Sequence, residues 1–213
     1  MSLIIARGGE HLEEKLNQSK NKSKNYAQSA TKKRDEVFWK VLNSALELDF
    51  RKGYLKWTMS ELSRKSAITR SLIYYHFGRS KLSILHEAVN VIGSELIGVN
   101  DERMRMWAEG KWIDSMARTR EVCAMAPSLC SFYLLHRERP TEIGEAMRKL
   151  EKAYIKKLET IFHSLPPEGI RAVSAFFFGI TFSPQVNDEA VVYAVKALQS
   201  LVGPTNTLRL PRR

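Results

Sequence analysis

The sequence predicts an all-α fold, with a small N-terminal domain of three helices that contains a helix-turn-helix and a larger C-terminal helical domain. Three observations lead to this prediction. Two short segments with helix-start signals follow one another across a tight turn between residues 58 and 77. Apolar residues recur at spacings of three and four through most of the remaining chain, and the sequence lacks the alternation typical of strands.

The first short helix begins at a capping box. Thr58 has a hydroxyl that can accept a hydrogen bond from an amide of the first helical turn. Glu61, three positions later, can reach back to the amide of Thr58. The chain then turns at residues 67–68, and Thr69 offers a cap to the second helix.

The second short helix divides into a buried face and an exposed face. Ile73 and Phe77 are four positions apart and therefore share the inward face. An arginine, a serine and two tyrosines are left on the outside, namely Arg70, Ser71, Tyr74 and Tyr75. Such a surface is poor for solubility but suits DNA, because these side chains can bond base edges and phosphates.

Basic residues are concentrated in the same part of the chain. The net charge is +11, of which residues 1–34 carry +5 and residues 35–90 carry +3. Basic charge beside an exposed Arg-Ser-Tyr-Tyr face is typical of a protein that binds the phosphate backbone. A role at a membrane surface is disfavoured, because it would need a long basic amphipathic helix.

This region resembles the DNA-binding module of the tetracycline-repressor (TetR) family of transcriptional regulators. The similarity covers about residues 34–90 and is specific because of the Tyr-Tyr-His-Phe run. The matching segments are Val41-Leu42-Asn43-Ser44-Ala45, Gly53-Tyr54, Thr58 to Ser63, Ala67-Ile68, Ile73-Tyr74-Tyr75-His76-Phe77 and Lys81. The chain departs from the family pattern at Asp49, where an aromatic is usual, at Leu72, where a small hydroxyl residue is common, and by one additional residue before Lys81.

The resemblance implies which residues contact DNA. The side chains that can read base edges are Arg70, Ser71, Leu72 and Tyr74, with Leu72 placed against a thymine methyl or an apolar base face. The phosphate candidates carry hydrogen-bond donors, and they are Thr58, Ser60, Tyr75, His76 and Lys81, with Thr69 added to the DNA-binding set. A structural role for His76 and packing of Tyr74 against the first helix stay open.

Length and composition describe one or two ordinary globular domains. The chain has 213 residues, of which 44% are hydrophobic and 27% charged. No apolar run approaches the ~20 residues of a membrane helix, and the first residues lack the pattern of a signal peptide. We therefore expect a cytoplasmic protein that does not contact a membrane.

The two cysteines are expected to stay apart. Cys123 and Cys130 lie seven positions apart and can share one helix face, which is too far along that face for them to bridge each other. We interpret both as small buried hydrophobic residues.

The patterns divide the chain into four segments. Residues 1–32 form a disordered basic arm, residues 33–80 the helix-turn-helix DNA-binding domain, residues 81–204 the helical ligand-binding and dimerisation domain, and residues 205–213 a C-terminal tail. The arm is either a solvated tail or a minor-groove contact, and the second alternative would use Lys20, Lys22, Lys24, Lys32 and Lys33.

The helix before the module begins near Asp35 and ends at Gly53. Asp49 is expected to turn outward, because an unpaired buried carboxylate is costly. Phe50 or Phe38 would then fill the space that the family fills with an aromatic.

The helix after the module is capped by Ser80 and continues to about Val99. Lys81 lies in its first turn, where a positive charge opposes the helix dipole. This position indicates a nearby anion such as a phosphate.

The C-terminal domain is predicted to dimerise. Helices are expected over about residues 111–126, in a short segment opened by Pro127, and over residues 141–164, 168–182 and 188–202. The last two are apolar nearly all round and must be buried on every side, either against a second subunit or within one. The interface candidates are Phe176, Phe177, Phe178, Val191, Val195 and Leu198. The resemblance implies a four-helix dimer interface.

The middle helices carry bulky and adaptable side chains of the kind that line cavities. The ligand-binding candidates are Trp107, Trp112, Met116, Phe132, Tyr133, His136 and Tyr154. The same spacing also fits plain core packing. The resemblance implies an inducer that changes the angle between two DNA-reading units.

Three function classes compete. The leading one is a dimeric, sequence-specific transcriptional regulator, a repressor that binds a palindromic double-stranded operator and is released by an unknown small-molecule inducer. The alternative is a TetR-like DNA-binding protein whose C-terminal domain binds a protein partner. An enzyme is disfavoured, because the five histidines lie on separate elements and only His136, near Cys130 and Tyr133, stands in a mixed polar group. No cofactor and no metal are expected.

Overall fold

The computed structural model describes residues 35–98, 100–183 and 187–202. The chain divides into two compact units, Met1–Lys40 and Val41–Arg213. The predicted basic arm and C-terminal tail, together with the end of the predicted helix at Val99, lie outside the described residues. In the first unit the described residues 35–40 are helical, and Lys40 pairs with Glu36 at 2.7 Å.

The described part of the second unit is entirely helical apart from its turns. Helix α1 covers residues 41–52. The following helices are α2 Met59–Ser66, α3 Arg70–Phe77, α4 Lys81–Val91, α5 Asp101–Ala108, α6 Trp112–Met125, α7 Ser128–His136, α8 Glu142–Ile161, α9 Pro167–Phe182 and α10 Asp188–Val202. The predicted all-α fold is confirmed.

The helix-turn-helix forms through the local signals that the sequence predicts. The Thr58 hydroxyl accepts from the Glu61 amide at 3.2 Å, and the Glu61 carboxylate accepts from the Thr58 amide at 2.8 Å, which confirms the capping box. Ala67 ends α2 in the left-handed conformation with φ 56°. Thr69 then caps α3 by accepting from the Leu72 amide. The two helices are therefore set by residues no more than a few positions apart.

The long helix predicted after the module is interrupted. Helix α4 ends at Val91, and a π-helical turn follows over Ile92–Leu96, in which the Ile97 amide donates to the Ile92 carbonyl at 2.8 Å. At this turn Gly93 lies so close to α8 that a Cβ would stand 2.6 Å from Leu150 Cδ1. The Glu95 carbonyl also accepts a bond from outside its own helix. Packing and hydrogen bonds from other helices thus explain the departure from a regular helix.

Arg103 provides one of those hydrogen bonds from a buried position. Its guanidinium donates to the Ser115 hydroxyl at 3.0 Å, and to the carbonyl of Glu95 and the hydroxyl of Thr119. Burial lowers the pKa of this guanidinium to about 10, so the group remains charged at neutral pH. Arg103 therefore joins the π-helical turn to α5 and α6.

Lys81–Ala108 has the length and apolar content of a membrane-spanning helix, but 59% of its most apolar window is buried in the fold. The stretch is also divided between α4, the π-helical turn and α5. It is a core segment of a folded domain.

Gly144 makes the connection from α7 to α8 possible. A Cβ at this residue would lie 2.1 Å from the Arg139 carbonyl oxygen and 2.7 Å from the His136 carbonyl oxygen. Gly144→Ala is therefore expected to lower the free energy of unfolding by about 1–3 kcal/mol, because backbone atoms must move. Urea unfolding is the measurement. The control is Ala146→Gly in the same helix, which is expected to lower the free energy of unfolding by about 1 kcal/mol at most. An equal loss of stability in both variants would contradict a clash between a Cβ at residue 144 and the carbonyl oxygens.

Candidate nucleic-acid interface

Helix α3 presents the row of side chains that the sequence assigns to DNA. Ile73 and Phe77 are buried and anchor the helix. Arg70 and Ser71 are exposed, Leu72 is 37% exposed and Tyr75 is 78% exposed. A rigid helix therefore displays an arginine, a hydroxyl and two apolar surfaces to solvent.

The second half of α3 is partly covered. Tyr74 and His76 are half-buried, and the His76 ring packs edge-on against Tyr75 with centroids 5.2 Å apart. The guanidinium of Arg79 lies 5.9 Å from the Tyr74 ring centroid. Arg79 is not among the residues that the sequence predicts to contact DNA. The signal that could have identified it is a basic residue two positions after the end of α3.

The hydroxyl candidates lie at helix starts. Thr58 and Thr69 are the caps of α2 and α3, and the Thr69 hydroxyl lies 3.2 Å from the Ser71 hydroxyl. Ser60 is exposed in the first turn of α2. Amides at a helix start are suited to phosphate oxygens, so these positions can bind the DNA backbone.

Lys81 lies against the loop between α1 and α2. Its ammonium donates to the carbonyl of Trp57 at 2.9 Å and to the carbonyl of Leu55, and it stands 5.8 Å from the Trp57 ring centroid. An ammonium has three donors, so one is left for a phosphate. The phosphate role of Lys81 stays a prediction, and the structure adds a role in holding this loop.

The expectation that Asp49 turns outward is wrong. Asp49 is 1% exposed, whereas Phe50 is 63% exposed. Asp49 Oδ1 accepts from the Leu55 amide at 2.9 Å and from the Trp57 indole at 3.0 Å. The partners that make burial of the carboxylate possible are therefore supplied by the loop after α1 and by a distant helix.

The distant partner is His136 at the end of α7. Its Nε2 lies 2.9 Å from Asp49 Oδ2, and both side chains are fully buried. The two atoms are close enough for a hydrogen bond, although the ring N–H is not aligned with the oxygen. Burial by itself would raise the pKa of the Asp49 carboxyl, but contacts with His136, Leu55 and Trp57 outweigh it and hold this pKa below its usual value.

Two hydrogen bonds connect α1 and α4 to the later helices α7 and α8. The Ser128 amide at the start of α7 donates to the Asn43 side chain in α1 at 3.1 Å. His86 in α4 lies 2.8 Å from the Glu142 carboxylate in α8. Helix α7 thus contacts α1 near both of its ends, through the Ser128–Asn43 hydrogen bond and the close approach of His136 to Asp49, so a displacement of α7 can reach the DNA-binding helices.

The ligand candidates lie in the core of the C-terminal domain. Trp107, Met116 and Tyr154 line a small cavity of about 10 Å³. The other candidates, Trp112, Phe132, Tyr133 and His136, are buried. Burial and the nearby Glu151 carboxylate raise the pKa of the Tyr133 hydroxyl.

A larger cavity of about 520 Å³ lies where α6, α7 and the end of α9 meet. None of the seven predicted ligand residues lines it. Its walls include Arg120, Cys123, Cys130, Leu134, Ile180 and Phe182. This cavity could not be predicted from the sequence, because it forms only where the end of α9 packs near α6 and α7, which lie far from it along the chain.

The expectation that the cysteines are too far apart to bridge is also wrong. The Sγ atoms of Cys123 and Cys130 lie 3.6 Å apart, and both side chains are half-buried. Helix α6 ends at Met125 and α7 begins at Ser128, so the two cysteines lie on different helices. The break before Pro127 was read correctly from the sequence, but its effect on the thiols was not.

The interface candidates occupy two environments. Phe177, Val191, Val195 and Leu198 are buried within the chain. Phe176 and Phe178 are half-buried, and Tyr193 on α10 is 78% exposed. The Phe178 ring stacks on Tyr133 and Phe182 of the same chain, and the role of these six residues in a dimer stays a prediction.

Comparison with known proteins agrees with this geometry. Residues 41–88 match the family model described as bacterial regulatory proteins, tetR family. The fold is similar to a solved structure of the TetR family transcriptional regulator PfmR from Thermus thermophilus, with a TM-score of 0.51 and 17% identity over 81% of this chain and 96% of that chain. No curated protein matches the sequence.

The match to the family model spans α1 to most of α4 and includes the exposed row on α3. The structural similarity extends the likeness in fold to the C-terminal helices. Residues 41–88 thus match the helix-turn-helix module of the tetR family of bacterial regulatory proteins, and the chain as a whole is similar in fold to a TetR-family regulator.

Proposed function

We propose that the protein is a homodimeric repressor that binds a palindromic operator through α3 and is released by a small molecule bound in its C-terminal domain. The observation that carries this proposal is the exposed row Arg70, Ser71, Leu72 and Tyr75 on a helix anchored by buried residues. A helix of this kind fits the major groove. Its place of action would be the cytoplasm.

The proposed contacts divide into base readers and phosphate anchors. Arg70 can bond guanine through two N–H groups, and Ser71 and Leu72 lie beside it on the same exposed turn. Tyr74 is half-buried under Arg79, so its hydroxyl rather than its ring face is the part suited to a base. Thr58, Ser60, Thr69, Tyr75, His76 and Lys81 carry donors and would set the position of the helix on the DNA backbone.

Dimerisation supplies the second recognition helix. One α3 buries too little surface for specific binding, whereas two heads related by a two-fold axis read two half-sites one helical turn apart. The outer faces of α9 and α10 are the proposed contact, because they combine small residues with the exposed Tyr193 and the half-buried Phe176.

Selection of bound sequences from random DNA tests this proposal. The expected product is an inverted repeat whose half-site centres lie about 10 base pairs apart. Sedimentation of the protein with the selected DNA is expected to show two chains on each duplex. Enrichment of single, asymmetric sites, or of no sequence, would count against a dimeric sequence-specific regulator.

Release by a ligand would use the bonds between the two halves of the chain. Helix α7 contacts α1, and α4 contacts α8. A ligand that favours one position of α7 or α4 would therefore change the separation of the two α3 helices in the dimer. A screen for compounds that stabilise the protein against heat and also release selected DNA tests this part.

A protein partner is the second candidate for the C-terminal domain. Met125 at the end of α6 and Leu134 in α7 are large apolar side chains that are about half exposed. A protein that binds there without any small-molecule inducer would favour this alternative. Loss of its binding in Leu134→Ser would identify the surface.

A further inference from the structure

The larger cavity brings together two thiols that the proposed DNA binding does not use. Cys123 lies near the end of α6 and Cys130 near the start of α7, with their Sγ atoms 3.6 Å apart. A disulfide needs about 2.05 Å between the sulfurs, so roughly 1.5 Å of movement closes the bond. Rotation of the two side chains can supply a movement of this size.

Both thiols line the cavity of about 520 Å³ and are therefore reachable by a small molecule. The volume lies within the range of small-molecule sites. Its walls are mainly apolar through Ala124, Pro127, Leu134, Ile180 and Phe182. Such walls favour an uncharged reagent with a hydrocarbon group over a small hydrated one.

The two sulfurs differ in reactivity. Contact with the Cys130 thiol lowers the pKa of the Cys123 thiol, and the charge of Arg120 adds to this effect against the effect of burial. Contact with Cys123 and burial raise the pKa of the Cys130 thiol. Arg120 itself pairs with Asp188 at 3.1 Å. Because the thiolate is the nucleophile, Cys123 is the attacking residue and Cys130 the resolving one.

We propose that Cys123 and Cys130 form an oxidation site for organic hydroperoxides, which convert the pair to a disulfide. The Cys123 thiolate attacks the terminal peroxide oxygen, the O–O bond breaks, and the alkoxide leaves and takes a proton to become an alcohol. The Cys130 sulfur then attacks the sulfenic sulfur of Cys123 and displaces hydroxide, which leaves as water with the Cys130 proton. Two thiols and one hydroperoxide thus give one disulfide, one alcohol and one water.

The disulfide would act on the helix that holds the DNA-binding unit. It fastens the start of α7 to α6, and α7 contacts α1 through the Ser128–Asn43 hydrogen bond and the close pair His136–Asp49. A shift of α7 on oxidation therefore reaches α1 and the helices packed on it. This consequence rests on the proposed function, whereas the oxidation site does not.

The test uses the full chain, reduced and freed of reductant, and treated with cumene hydroperoxide or hydrogen peroxide. The expected result is loss of both thiols together in a monomeric disulfide that links the peptides of Cys123 and Cys130 and is reversed by dithiothreitol. Cumene hydroperoxide should react at least tenfold faster with the native protein than with protein unfolded in urea. Thiols that stay reduced, disulfides between chains only, or equal rates in native and unfolded protein would overturn the proposal.

Three variants assign the roles. Cys130→Ser should trap a sulfenic acid on Cys123 that dimedone captures, and Cys123→Ser should react at least tenfold more slowly. Ala124→Trp, at an exposed residue of the cavity wall, should slow cumene hydroperoxide more than hydrogen peroxide. Circular dichroism checks that each variant is folded. Equal reactivity of the two serine variants would overturn the assignment of attacking and resolving residues.

A DNA-binding measurement separates this inference from the proposed function. The dissociation constant for selected DNA is measured with reduced and oxidised protein, and a change of at least tenfold is expected. If reduced protein selects no DNA, the proposed function fails while the disulfide is still judged by mass spectrometry. If the disulfide forms and the dissociation constant is unchanged, the link through α7 is overturned.

Discussion

His136→Ala is expected to lower the free energy of unfolding by about 3–5 kcal/mol, because it leaves the Asp49 carboxylate buried with one partner fewer. The two side chains are fully buried, with 2.9 Å between Nε2 and Oδ2. Loss of the imidazole also leaves a cavity beside Phe132, whose ring centroid lies 4.5 Å from that of His136. Urea unfolding at one protein concentration is the measurement, since dimerisation would make stability depend on concentration.

The matched control is His163→Ala, because His163 is exposed just after α8. Its expected effect is within about 0.5 kcal/mol. The double variant Asp49→Asn/His136→Ala should lose less than the sum of the two single variants, because each single change removes the same contact. Additive losses would show that the two residues are not coupled.

The pH dependence of stability gives a second measurement on the same pair. The pKa of Asp49 is lowered in the folded protein from its ordinary value of 3.8. The Asp49 carboxylate therefore contributes its full share of the stability above pH 3.8, the pKa in the unfolded chain. This share is lost as the pH falls through the lower pKa of the folded protein. In Asp49→Asn this part of the acid dependence should be missing, and an unchanged dependence would exclude Asp49 as its source.

Arg70→Ala is expected to weaken binding to selected DNA by about 1–3 kcal/mol for each half-site and to remove the preference at one base pair in each. The physical reason is the loss of a paired hydrogen bond to guanine from the exposed face of α3. The measurement is fluorescence anisotropy with the selected sequence and with each of its single-base variants.

Two control variants distinguish recognition of base edges by Arg70 from a general effect of losing a positive charge. Arg64→Ala removes an exposed positive charge from the last turn of α2 and should leave every base preference unchanged. Lys81→Ala should weaken all sequences about equally and reduce the salt slope by roughly one for each subunit. If Arg70→Ala kept the full sequence preference, α3 would not read bases through Arg70.

The helix-turn-helix could be predicted in detail because its signals are local. The capping box of Thr58 and Glu61, the cap at Thr69 and the buried pair Ile73 and Phe77 involve residues within four positions of one another. Helix geometry alone then determines which side chains of α3 face outward. The roles of these side chains on DNA stay predictions.

The C-terminal helices were predicted less completely. The boundaries of α6, α9 and α10 follow from proline breaks and apolar spacing. Helix α5 was not separated from its surroundings, although Asn100 caps it by accepting from the Arg103 amide at 2.8 Å. The π-helical turn before it could not be predicted, because it depends on the approach of Leu150 and on a bond from Thr119.

The sequence by itself determined the fold class, the recognition helix and the resemblance to the TetR family, since caps and periodicity act over one or two helical turns. Tertiary structure decided which way Asp49 turns, because the cost of burying a carboxylate depends on partners that come from distant segments. It also decided that Cys123 and Cys130 meet and that the larger cavity forms beside them. Contacts between helices far apart along the chain leave no periodic signal, so only the packed structure contains them.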